Sequence, residues 1–129
     1  MTDLNPDKVK GVAALLVHAA KIDEIYSEQE KKMVEEFIKS YLNNVNTAQM
    51  LIEAEELEAN SNQLLEFTNI IKKSDNKTKT NIIEHLWKII ISDKKIDQYE
   101  SNLMRRICGL IYFPDKECAE IKLKLINKK

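Results

Sequence analysis

The chain has 129 residues, of which 43% are hydrophobic and 32% charged, with 2 Gly, 2 Pro and 2 Cys and a net charge of −1. So few breakers among so many Leu, Ile, Lys and Glu exclude a sandwich or barrel and point to helices. The balanced charge excludes a global field for nucleic acid or a membrane, and two cysteines exclude a disulfide framework.

The length predicts one domain over residues 1–129 that buries roughly two-thirds of its unfolded surface. The charge is uneven: residues 1–64 carry a net −6 and residues 65–129 a net +5, read as two oppositely biased solvated faces. The N-terminus is not basic and leads into no secretory apolar stretch, and no run approaches the ~18 apolar residues of a membrane span. The expectation is a cytoplasmic protein with no direct membrane insertion.

In chain order, Asn5-Pro6-Asp7 starts a first helix to about Lys21, with Val9, Val12, Ala13, Leu16, Ala19 and Ala20 on its apolar face and Leu15 beside it. Ser27-x-x-Glu30 is a capping box that opens a second helix to about Tyr41, with Met33, Val34, Phe37, Ile38 and Tyr41 at helical spacing. A third helix covers about Ala48 to Glu58. Met50, Leu51, Ala54 and Leu57 are expected inside, and Glu53, Glu55, Glu56 and Glu58 in water. A fourth runs from about Gln63 to Lys73, with Leu64, Leu65, Phe67, Thr68, Ile70 and Ile71 as its apolar side. Ser74-Asp75-Asn76 caps a fifth, about Lys77 to Ser92, apolar around much of its circumference and so expected at the centre. Asp97-x-x-Glu100 is a second capping box, opening a helix to about Ile111. Pro114-Asp115 starts a last helix to about Ile126, carrying Cys118, Ile121, Leu123 and Leu125. Cys108 and Cys118 fall at apolar-periodic positions and read as reduced core thiols.

The stretch around Asp23 recurs 70 residues later around Asp93. Leu16 matches Leu86, Asp23 matches Asp93 and Glu30 matches Glu100, and the apolar register is kept between them. Two related helical hairpins, about residues 8–42 and 78–112, would pack as a pseudo-symmetric pair, linked by helices over about 47–73. The expected fold is an all-α compact bundle of about seven helices.

On these residues the chain resembles the TerB-like family, named for the tellurite-resistance protein and related to the N-terminal domain of a membrane-anchored DnaJ-type co-chaperone. The resemblance rests on Ala13-Ala14-Leu15-Leu16-Val17, Asp23 and Ser27-x-x-Glu30, on Leu86-Trp87, Ser92-Asp93 and Asp97-x-x-Glu100, and on Phe67-Thr68 and Arg105-Arg106. It covers roughly residues 8–123. The family's turn glycine is Glu24 in one copy and Lys94 in the other. The resemblance implies an all-helical, non-enzymatic module in a stress response of the tellurite-resistance type. It also implies a divalent cation, Ca²⁺ or Mg²⁺, at the acidic turns.

Two readings meet at Asp23, Glu30, Asp93, Asp97 and Glu100. As ligands, their oxygens suit a hard cation. As caps, Ser27/Glu30 and Asp97/Glu100 satisfy exposed helix amides, which leaves Asp23 and Asp93 to explain. The positive end of a helix dipole is also a poor neighbour for a cation. The turns are not EF-hands, because the twelfth position from Asp23 is Val34 and from Asp93 is Met104. His18 and His85 lack a partner at i+3 or i+4, so zinc is not expected, and no constellation for any reaction class assembles. Lys72, Lys73, Lys77 and Lys79 read as a solvated turn without the aromatic face of a nucleic-acid reader. Protein partners at the acidic turns or the acidic third helix are therefore expected. A metal-free helical interaction scaffold, working through a hydrophobic groove between the hairpins, is the alternative.

Overall fold

The computed structural model describes residues 5–21, 26–43, 45–61, 65–91 and 98–127, with the helical backbone alone at 98–101. Among these residues there are seven α-helices and no strand: α1 Pro6–Ala20, α2 Glu28–Tyr41, α3 Thr47–Asn60, α4 Leu65–Lys72, α5 Asn76–Ile91, α6 Gln98–Leu110 and α7 Asp115–Asn127.

Local chemistry sets the helix starts. Asn5 Oδ1 accepts the Lys8 N–H at 2.9 Å, Asn46 Oδ1 that of Gln49 at 3.1 Å, and Asp75 Oδ1 that of Thr78 at 2.8 Å. Each such cap contributes about 1 kcal/mol by satisfying an amide that has no helical partner. The capping box at α2 forms in both directions. The α6 end is of another kind. The Phe113 N–H donates to Cys108 O at 2.8 Å and the Tyr112 N–H to Gly109 O at 3.4 Å, with Tyr112 in the left-handed region at φ 60. That pattern is a Schellman stop, built on a tyrosine where glycine would be unstrained.

The centre is shared. α5 buries eight residues, as its all-round apolar sequence predicts, but α1 buries ten and packs on α2, α3, α4 and α5. Leu15, placed beside the apolar face by spacing, is fully buried with Leu16. Small residues make this possible. At Gly11 the space a Cβ would take is filled by the tip of the Ile70 side chain from α4. Each fully buried Leu or Ile stabilises the core by about 1.5–3 kcal/mol.

Three expected inward positions face water: Leu57, Leu65 and Leu123 are all exposed. The duplication also runs further than two hairpins. α1 and α5 begin 70 residues apart, as do α2 and α6, and α3 is followed by α7 after 68. α3 packs on α1 as α7 packs on α5, so each unit has three helices and α4 alone joins them.

Candidate functional site

Ser27 and Glu30 show how the first acidic turn enters α2. The Ser27 N–H donates to Glu30 Oε1 at 2.8 Å, its hydroxyl donates to the same oxygen at 3.1 Å, and Ser27 Oγ accepts the Glu30 N–H at 3.1 Å. Glu30 is buried, so this carboxylate serves the helix end. Asp23, Asp93 and Asp97 lie outside the described residues, as does the side chain of Glu100 and with it the second capping box. Of the five acids assigned to a cation, Glu30 alone is described at side-chain level, and its Oε1 is committed to the cap.

The helices that carry the turns have a defined relation. Tyr41 Oη of α2 donates to Asn81 Oδ1 of α5 at 2.7 Å. Four residues back along α2, Phe37 meets His85, four residues forward along α5, edge-on with ring centroids 5.2 Å apart. α2 and α5 therefore run antiparallel. At a rise of 1.5 Å per residue, the start of α2 lies about 13 Å beyond Phe37 and the end of α5 about 9 Å beyond His85, in the same direction. The helix end that follows Asp23 and the one that precedes Asp93 share one end of the bundle.

The acids of α3 correct the expectation that they face water. Glu58 accepts from Lys21 Nζ at 2.9 Å and pairs with His18 Nδ1 at 3.2 Å. Glu55 accepts from Tyr26 Oη at 2.7 Å, and Glu53 pairs with Lys10 Nζ at 2.7 Å. Only Glu56 of the four is fully exposed. Burial raises the Glu58 carboxyl, but the Lys21 and His18 hydrogen bonds outweigh it and hold it below the usual range. Burial and then the Glu55 hydrogen bond push the Tyr26 phenol up, keeping it a neutral donor. Lys21 and Tyr26 bracket the first acidic turn, so α3 pins both its flanks. Periodicity marks Tyr26, Glu55 and Glu58 in no way. No spacing pairs them either, since His18 and Lys21 both meet Glu58 while Glu55 meets Tyr26.

Other residues behave as their spacing implies. Trp87 and Phe37 are buried, and both thiols are free and buried. His18 is part-exposed and His85 part-buried. Burial first, then Lys88, lowers the His85 pKa to about 4. The basic turn at Lys72 and Lys73 is exposed, yet it has an aromatic neighbour that sequence reasoning missed: Lys72 Nζ lies 4.9 Å from the centroid of the Tyr112 ring. Among the described residues no group of three or more His, Cys, Asp or Glu is placed to hold a metal ion. No helix among them is long and apolar enough to cross a membrane.

Six of the seven described helices in two related sets of three, with α4 between them, define an all-α duplicated module. The family described as tellurite resistance protein TerB matches residues 10–123, a span reaching from α1 into α7, and the chain belongs to that family. Comparison with curated proteins and with solved structures returned no match.

Proposed function

We propose that this TerB-family chain is a non-enzymatic binding module of the stress response, of the tellurite-resistance type. Its working surface is the end of the bundle where the two acidic turns leave α1 and α5. Asp23, Asp93 and Asp97 are the ligands for a divalent cation, Ca²⁺ or Mg²⁺, which takes carboxylate oxygens. Glu30 and its repeat partner Glu100 act as caps that hold the turns. The observation that carries this reading is the antiparallel pairing of α2 with α5, which sets the flanks of both turns at one end. The α3 acids add to it: with Lys21 and Tyr26 already held, a ligand at the first turn has less chain left to order. Protein partners dock on that end in the cytoplasm.

The test is calorimetric titration of CaCl₂, MgCl₂ and MnCl₂ into the wild type, Asp23→Asn/Asp93→Asn and Glu30→Gln. Saturable binding that the double variant loses and Glu30→Gln keeps is the expected result. No saturation at millimolar cation in the wild type sinks the cation assignment. The metal-free scaffold reading would then take over, and its supporting observation is the exposure of Ile52 and Leu57 on α3 and of Leu123 and Ile126 on α7. Those apolar side chains stand on the third helix of each unit.

A further inference from the structure

Cys108 of α6 and Cys118 of α7 have no part in the acidic turns, yet they form a built cluster. Both thiols are free and buried, and each sits close enough to the other to shift its titration. The Trp87 indole N–H, from α5, donates to Cys118 Sγ at 3.3 Å. One turn further along α7, Lys122 sets its ammonium 5.2 Å from the Trp87 ring centroid. Cys118 also stands in the opening turns of α7, where its own amide donates to Pro114 O at 3.1 Å, near the positive end of the helix dipole.

These groups favour a thiolate on one sulfur. The Cys108 hydrogen bond lowers the Cys118 thiol against its burial, with help from Trp87 and Lys122 against Asp115. The same hydrogen bond, with burial, raises Cys108. Access is equally one-sided. An open cleft of about 550 Å³ between α5, α6 and α7 is lined by Trp87, Met104, Arg105, Cys118 and Lys122. Cys118 forms part of its wall, while Cys108 is 0% exposed. Cys118 borders the cleft, and Cys108 is closed off from solvent.

We propose that Cys118 and Cys108 are a reversible redox pair, in which a hydroperoxide entering the α5–α6–α7 cleft oxidises Cys118 and Cys108 closes the disulfide. The Cys118 thiolate attacks the terminal peroxide oxygen. The O–O bond breaks, an alcohol or water leaves with a proton from solvent, and Cys118 becomes a sulfenic acid. Cys108 sulfur then attacks Cys118 sulfur. The S–O bond breaks, and the hydroxide leaves as water with the Cys108 proton. Two electrons pass from the sulfur pair to the peroxide. Closing the disulfide brings the two sulfurs to about 2.05 Å. The product ties the end of α6 to the start of α7 and changes the sulfur against which Trp87 rests.

The experiment uses the reduced full chain, hydrogen peroxide, intact-mass spectrometry and the emission of Trp87, the sole tryptophan. The expected result is a loss of about 2 Da, a dithiothreitol-reversible 108–118 cross-link and a parallel change in emission. Cys108→Ser should stop at a sulfenic acid that dimedone traps, and Cys118→Ser should react at least ~10-fold more slowly. An unchanged wild-type mass, a dimer as the main product, or a Cys118→Ser variant as reactive as wild type overturns the proposal. The wild-type arm decides even if a serine variant fails to fold, and Cys→Ala variants repeat the rate comparison.

Discussion

The two three-helix units descend from one plan and differ where it matters. Position 15 in the first unit is Leu15, fully buried in α1; its counterpart 70 residues on is His85, half-buried against Phe37. Position 42 is Leu42, an extended C-cap with φ −130; its counterpart is Tyr112 with φ 60. The first unit's third helix is fastened by carboxylates to α1 and Tyr26, whereas the second unit's is fastened by Cys118 to Trp87. A repeat preserves the backbone plan, and each copy then solves its own packing with different chemistry. Titratable and reactive groups consequently accumulate in the second unit's interior and ionic staples on the first unit's surface.

The largest test of that contrast is a matched pair of core truncations. Leu16→Ala and Leu86→Ala remove equivalent, fully buried leucines. Chemical denaturation should show losses of about 4 and about 3 kcal/mol respectively, larger in α1 because it buries ten residues where the longer α5 buries eight. Equal losses would mean that the central place of α1 has no energetic counterpart.

Next comes pH. The folded-state pKa of His85, about 4, lies below its ordinary 6.5, so protonation favours the unfolded chain. Stability from this group is fully present above pH 6.5 and falls as pH drops toward 4, by at most about 3 kcal/mol. His85→Leu, which copies the first unit, should flatten that window in pH-dependent urea melts.

Smaller effects follow at the helix ends. Ser27→Ala should cost about 1 kcal/mol through loss of the capping box, without changing the denaturant slope. A similar loss from Asp97→Ala would establish the second box, and no loss would show that the copies diverge there too. Smallest is Tyr112→Gly, which relieves the left-handed backbone and should raise the melting temperature slightly. The gain is at most about 1 kcal/mol, less what the Lys72 contact contributes. Leu42→Gly, at the matching extended position, should do the reverse.

Helix starts were legible because their signals are local: Asn5, Ser27, Asn46 and Asp75 each act on an amide three residues ahead. The third member of each unit was not. α6 and the connection after it are each one residue shorter than α2 and the α2–α3 connection, so α7 starts two residues early and a fixed offset of 70 loses its apolar register. Of the candidate site, Glu30 was legible as a cap. Its neighbours were not, since Tyr26 meets Glu55 across 29 residues and Lys21 meets Glu58 across 37. Helical periodicity likewise placed Cys108 and Cys118 inside, but the meeting of Cys118 with Trp87 depends on how the helices cross.

The place of α1 also sets a timetable. It leaves the ribosome before the helices that cover it, the last of which is α5, ending at Ile91. At roughly 5–20 residues per second, an Ala-, Val- and Leu-rich segment waits about 4–14 s for its last neighbour. During synthesis the most buried of the seven described helices is therefore the one that waits longest for its last neighbour.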